Sequence, residues 1–495
     1  MTCSIPPVTL DILCREQKLG CVLHVTPTPY LHWRGRPGLD PALHDDPEHP
    51  PEALLQTIWQ HQRLRRGQLH ALDGRPVRVL HPGFRSVEGG PDFRGAMISL
   101  GDGPPVIGDI EVDLRPGGWH SHGHDVNPAF SGVILHVVWD GGEPVANEPP
   151  RLALRAALDA PVGELGLLLA GQGELLSDAA KGRCCEPFKT LSPAQQTQLL
   201  EQAARLRLES KAALFQARAR TAGREQALWE GLFRALGYKH NTWPMQSLAE
   251  LHRRWSSPDA GLLGLQARLL GISGLLPQEL SRKEGDQYLR HLWDSWWRER
   301  EGFSDCTLPR TVWRLHGVRP VNHPARRLAL AAHWAARGDL LGRIESWCTK
   351  TISTPALPGS LIELLDAAPD PYWARHHTFA SKALPSDQPL LGEARASDLA
   401  MNVILPWLWV QAADHGNTDL KVRLETRYFQ WPAGQDNSVL KLARQRLLGA
   451  PGAKILKTAA TQQGLVQIVR DFCERSDSIC TGCNMPNLVR EFREQ

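Results

Sequence analysis

The sequence lacks a dominant charge of either sign. Its 495 residues set 56 lysines and arginines against 53 aspartates and glutamates, for a formal charge of +3. That balance gives no case for nucleic acid or an acidic membrane as partner of the whole chain, so any basic surface must be local. The N-terminal text MTCSIPPVTLDILCREQKLG has no basic stretch leading into an apolar run, and no run of about eighteen apolar residues occurs anywhere. No signal peptide and no membrane span are therefore expected, and the cytoplasm is the expected compartment. Walker and GxGxxG phosphate loops are missing, which removes the usual motif for a nucleotide cofactor. No period of about 30 to 50 residues recurs, which argues against a solenoid. The 10 cysteines are scattered, with Cys184 and Cys185 adjacent, and do not read as a disulfide framework.

With 42% hydrophobic and 22% charged residues the chain can bury a sizeable core, and its length suggests about two to four domains. Residues 1–51 read as an extension ending in an exposed loop with Pro37, Pro41, Pro47, Pro50 and Pro51. Residues 52–158 begin with a helix, where Leu54, Leu55, Ile58, Trp59 and Gln62 recur at helical spacing, and continue as strands. The strand segments are PVRVLHPG, FRGAMISLGDG, VIGDIEVDLR, GVILHVVWDGG and RLALRAAL. Residues 159–495 are mainly helical, with a helix start at Ser192-Pro193-Ala194-Gln195 and a buried helix around Pro406 that the proline should kink. The expected fold class is α/β of the α+β kind: an N-terminal mixed sheet followed by a large helical region.

Chemistry concentrates between Asp92 and His136. If VIGDIEVDLR is a strand, Asp109, Glu111 and Asp113 project to one side and Ile110, Val112 and Leu114 to the other. Three carboxylates on one face repel, and a divalent cation is the simplest compensation. Asp92 adds a fourth acid at the mouth of the preceding strand. An Asp92–Glu111 pair suits Mg²⁺ or Mn²⁺, with Asp109 or Asp113 completing the shell. Directly downstream, in WHSHGHD, His120, His122 and His124 alternate. An extended backbone would place all three imidazoles on one side, ready to move a proton or to ligate Zn²⁺ or iron. The bland alternative is a polar loop beside an ordinary surface strand.

A second cluster, Cys473, Cys480 and Cys483, supplies three thiolates for Zn²⁺ or an iron–sulfur cluster, with Cys184 or Cys185, then Cys306, as the fourth ligand. Cys3, Cys14, Cys21 and Cys348 read as packing or surface thiols. Trp293, Trp296 and Trp297 share a helical face, for which core packing is the expected role. Arg314, Arg319, Arg326 and Arg327 could bind phosphate, or bridge helices through carboxylates, the expected role.

Residues 52–157 resemble the PD-(D/E)xK nuclease core, restriction-endonuclease-like in its order of helix, hairpin with Pro91-Asp92, and strand carrying Glu111. The position two residues on, usually lysine, is Asp113 here. GGPDF, GDIEV, the W-H-x-H-G-H stretch with ILHVVW, ALGYKHN, GVRPVNHPARRLA, NVILP and the terminal cysteines together resemble an uncharacterised bacterial family, domain of unknown function 2851. That resemblance implies an architecture and no activity. The functions expected are a metal-dependent nuclease or phosphodiesterase on DNA or RNA; a non-catalytic nucleic-acid-binding or scaffold protein; or a Zn- or Fe-dependent, histidine-ligated enzyme on a small substrate.

Overall fold

A computed structural model describes residues 28–34 and 50–494, less 51, 87–89, 143–147, 161, 163–164, 166–184, 239, 278–286, 317, 367–368, 436–437, 449–454 and 473–484. It is a mixed α+β structure, with the sheet in the N-terminal part and helices thereafter. The strands are β1 (Val77–His81), β2 (Phe84–Arg85), β3 (Phe93–Leu100), β4 (Val106–Asp113), β5 (Val133–Val138) and β6 (Arg151–Ala153). Each of the five expected segments holds one, and β2 is an addition. The sheet order is β1-β3-β4-β5-β6, with β2 on β3. The first three of that path are antiparallel, and β4, β5 and β6 are parallel. The turn through GDGPP joins β3 to β4 as an antiparallel pair.

One face of this sheet is apolar. Val77, Val79, Ile98, Ile110, Val112, Leu135 and Val137 are buried against Leu55, Ile58 and Trp59 of a helix that follows α1 (Pro29–Arg34) and is labelled α2 (Glu52–His61). The apolar periodicities of helix and strands, about 3.6 and 2, meet here in a single core. Because Ile110 and Val112 point inward, Glu111 and Asp113 must point to the other face.

The expectation of an extended backbone through His120–His124 is corrected. Residues Gly118–Ser121 form a short helix, α3, and turns follow to His124 and beyond. The reason is topological. Asp109 near the start of β4 pairs with Val133 at the start of parallel β5, so the chain leaving Asp113 must return the length of the strand. It doubles back over the acidic face, turning at Gly123 with φ +72°.

The helical region has two cores. In one, Trp229, Phe233, Trp255, Trp334, Trp373 and Trp407 are buried among leucines and alanines. In the other, Tyr30 and Trp33 of α1 pack with residues of the C-terminal helices Ala459–Phe472 and Met485–Glu494 and of α5 (Pro193–Ala222), which follows α4 (Cys185–Lys189). The start of α5 is a capping box: Ser192 Oγ accepts from the Gln195 amide, and the Gln195 side chain accepts from the Ser192 amide. Near Pro406 the helix Glu393–Leu399 widens into a π turn, Ala400–Ile404, and resumes as Leu405–Asp414, which accommodates the proline's missing donor. No helix among the described residues is long and apolar enough to cross a membrane.

Two expectations change. Arg326 and Arg327 do not bridge helices through carboxylates. They are buried and donate to main-chain carbonyls, Arg326 to those of Trp373, Gln388 and Pro389 and Arg327 to that of Leu390. Trp293 and Trp296 are half-buried and Trp297 is 49% exposed, so this triad is not wholly core. The thiol cluster falls on Cys184, Cys473, Cys480 and Cys483, which lie outside the described residues, as does the side chain of Cys185. Cys306 and Cys348 are buried free thiols, and Cys306 donates to the Phe303 carbonyl.

Candidate metal centre

In the register of β4 with β5, Glu111 lies opposite His136 and Asp113 opposite Val138. The returning segment covers these groups with Trp119 and Phe130, which form with Val133 of β5 a small apolar cluster separate from the main core. His124 stacks on Phe130 with ring centroids 4.0 Å apart and 8° between planes, which fixes its imidazole over the strand. Asn127 caps the turn at Pro128–Phe130 by accepting from the Ala129 amide. The cover is therefore built by local chemistry rather than by a long helix.

Asp113 is the hub. Its Oδ2 accepts from His136 Nε2 at 2.9 Å, and both side chains are buried. Its Oδ1 lies 3.2 Å from Nδ1 of His122, whose side chain is 54% exposed. Donor atoms of Asp113, His122 and His124 all fall within 4.8 Å of one another. His124 Nδ1 is 3.5 Å from Glu111 Oε1 and, although buried, has no hydrogen-bond partner. An orphaned imidazole nitrogen aimed at carboxylates is a free ligand atom. The donor set of one carboxylate and two imidazoles, with a second carboxylate beside it, fits a divalent transition metal.

Beyond Glu111 the acids continue. The Asp92 amide donates to Glu111 Oε2 at 3.1 Å, and the Val112 amide donates to Asp92 Oδ2 at 3.1 Å. Each carboxylate is thus anchored by the other's strand. Gln56 Nε2 donates to Asp92 Oδ1 at 2.9 Å and to Glu52 Oε1 at 3.1 Å, while Arg85 donates to Gln56 Oε1. Glu52, at the first position of α2, brings a fourth acid within electrostatic reach of Asp113.

Crowding shows in the proton affinities. Burial first, then the Asp92 charge, pushes Glu111 up to about 8. Burial, with Glu52 adding to it, raises Asp92 to about 6. Burial and the Asp113 carboxylate raise Glu52, partly offset by His122. Without a cation these acids resist ionising together.

The structure thus gathers Asp92, Glu111, Asp113, His122 and His124. Two other candidates are bonded away from this group. Asp109 Oδ1 accepts from the Gly95 amide at 3.0 Å on an exposed part of the sheet. His120 turns outward, its Nδ1 bonded to Asp125 at 2.9 Å and its Nε2 to Glu148 at 2.7 Å, and these bonds raise its proton affinity. Sequence reading missed Glu52 and Gln56, which lie one turn apart on α2 and more than thirty residues before Asp92. The visible signal was weak: polar residues at i and i+4 at the head of an otherwise apolar helix.

Residues 52–437 match the family described as "Protein of unknown function (DUF2851)". No curated protein and no solved structure matches the chain.

Proposed function

We propose, for a chain that belongs to the DUF2851 family of proteins of unknown function, a metal-dependent hydrolase that cleaves phosphodiesters of nucleic acid. The observation that carries this reading is the convergence of Asp113, His122 and His124 beside Glu111. Charge count then decides between one ion and two. Glu52, Asp92, Glu111 and Asp113 would bring four negative charges when ionised, and one divalent ion offsets two of them. A pair of ions would balance the set.

Ligand chemistry favours Mn²⁺. The imidazoles of His122 and His124 suit transition metals better than Mg²⁺, whereas the all-oxygen group of Asp92, Glu111 and Glu52 suits Mg²⁺ or Mn²⁺. Bound there, such ions supply charge for a phosphoryl oxygen and make water acidic enough to attack near neutral pH. The residues do the rest. Asp113, fixed by His136, sets the position of the first group of donors. Asp92, fixed by Val112 and Gln56, sets the second. Glu111 stands between them, and its oxygen not turned to the ion would accept the proton, the task that falls to lysine in the nuclease core this region resembles. Trp119 and Phe130 keep bulk water from the buried side of the site.

The test is hydrolysis of bis(p-nitrophenyl) phosphate and of single- and double-stranded DNA and RNA, with Mn²⁺, Mg²⁺, Zn²⁺ or chelator, by wild type and Asp113→Asn. Cleavage that needs Mn²⁺ and Asp113 supports the reading. Cleavage that persists in chelator or in the variant overturns it, and no cleavage of any substrate moves the assignment to a non-catalytic nucleic-acid-binding protein.

A further inference from the structure

The acidic face of the sheet continues past the carboxylates. Ile107 pairs with Met97, and counting by alternation from Ile110 and Val112 places Ile107, 58% exposed, on the side of Glu111 and Asp113. Met97, with Leu80 of β1, floors a cleft of about 850 Å³ where the sheet meets the helical region. Asp92 is five residues from Met97 along β3, about 15 Å at the rise of a strand.

The opposite wall is aromatic. On the helix Gln287–Glu299, Trp293 and Trp297 stack with ring centroids 4.6 Å apart and 13° between planes. Arg300 lies over Trp297, with Cζ 3.3 Å from the ring centroid. Trp296 is held in place by Gly271, where a β-carbon would fall 2.1 Å from the indole. Among the described residues, no carboxylate lines the cleft and neither Arg300 nor Arg310, both exposed, has an acidic partner. Of the nearby acids, Glu299 and Asp305 are already bonded to Arg268 and Arg254, and Asp294 and Glu301 lie outside the lining.

A stacked ladder ending in the exposed Arg300 guanidinium, a second cation, Arg310, without an acidic partner among the described residues, and an apolar floor match an unpaired base with its flanking phosphates. We propose that this cleft binds single-stranded DNA, a base stacking on the Trp293–Trp297–Arg300 ladder and phosphates bonding to Arg300 and Arg310. The strand would then run along the sheet face to the carboxylates. This deepens the phosphodiesterase reading, on which the use of the site rests, by naming its substrate class. A duplex hides its base faces and cannot use the ladder. RNA fits less well, because its 2′-hydroxyls would lie against Leu80, Met97 and Leu276, with Thr307 as the lone hydroxyl among the described residues of the lining.

The experiment measures binding without chemistry. Fluorescence anisotropy of labelled oligo(dT) is recorded with the full chain in chelator, for wild type, Trp297→Ala and Arg300→Lys, with circular dichroism to verify folding. Trp297→Ala removes the ring that holds the Arg300 plane in the ladder, the platform for the base, and should weaken binding about tenfold. Arg300→Lys keeps the charge but loses the plane, and should also weaken it. Oligo(rU) and duplex should bind more weakly than oligo(dT). Wild-type affinity in both folded variants, or equally tight binding of duplex or RNA, overturns the inference. A wild type that binds oligo(dT) through this ladder yet hydrolyses no phosphodiester would instead retire the hydrolase reading and leave this one standing.

Discussion

Gly118 stands so close to Asp113 that a β-carbon on it would lie 2.6 Å from Cγ of the carboxylate. The requirement is for space, since its backbone is helical and any residue could adopt it. The returning chain can rest on the end of β4 only because nothing projects there, and Asp113 then stands between His122 and His136.

Gly118→Ala should therefore displace the carboxylate or lift the turn. The expected outcome is a loss of Mn²⁺ affinity of about tenfold or more, the usual scale for disturbing the support of a ligand, with a folded protein remaining. Isothermal titration with Mn²⁺ measures it. Unchanged affinity would mean that Asp113 does not hold the ion.

Asp113 and His122 should separate under mutation. Asp113→Ala leaves buried His136 without its acceptor and should destabilise the protein by about 1–3 kcal/mol as well as removing the ion. His122→Ala alters an exposed side chain, so Mn²⁺ binding should fall while the melting temperature stays close to wild type. Thermal melts in chelator, run beside the titrations, would expose the idea as wrong if His122→Ala melted as early as Asp113→Ala.

Stability without metal should fall as pH rises. The folded-state affinity of Glu111 is raised from its ordinary 4.5 to about 8, so the folded form holds a proton that the unfolded form has lost across that window. The stabilisation is complete below about 4.5 and is lost by about 8. Asp92, raised to about 6, adds the same sign between 3.8 and 6. Buried His81, lowered to about 4, acts oppositely, its contribution being lost as pH falls from 6.5. Urea titrations in chelator at pH 6 and pH 8 should show wild type weaker at pH 8. Glu111→Gln should flatten that difference, and Mn²⁺ should reverse it by favouring the ionised form.

In the helical region the buried Asp370 accepts from the amides of Tyr372 and Trp373, from His333 Nε2 at 2.8 Å and from Gln266 Nε2 at 2.7 Å. Asp370→Ala leaves these donors unsatisfied and should lower stability by at least about 3 kcal/mol, several degrees or more in melting temperature, with Mn²⁺ affinity unchanged. Loss of Mn²⁺ binding in the folded variant would show the two regions to be coupled.

The alternation of Ile110, Glu111, Val112 and Asp113 was legible because a strand with one apolar side dictates where the other points. Pro406 and Ser192 announced local geometry that needs only neighbouring residues. His120 was misread because its partners, Asp125 and Glu148, depend on how the chain folds back, and that path is set by the parallel pairing of β4 and β5. The same pairing explains why an extended HSHGH was a reasonable local reading and a wrong one. Glu52 was invisible for a different reason: a glutamate at a helix start is ordinary, and only docking of α2 under the sheet carries it to Asp92.

Tyr30 donates to Asp471 at 2.7 Å, and Trp33 meets Phe492 edge-on with centroids 5.6 Å apart. Those four residues all lie outside the matched span of 52–437. A chain trimmed to that span would keep every carboxylate and imidazole of the site but lose both sides of this junction. It would expose the flank of α5 where Leu199, Leu200 and Ala203 are now sealed. The stretch by which the family is recognised is thus shorter than the stretch that must fold together, and trimming either terminus should yield aggregates before it yields a minimal enzyme.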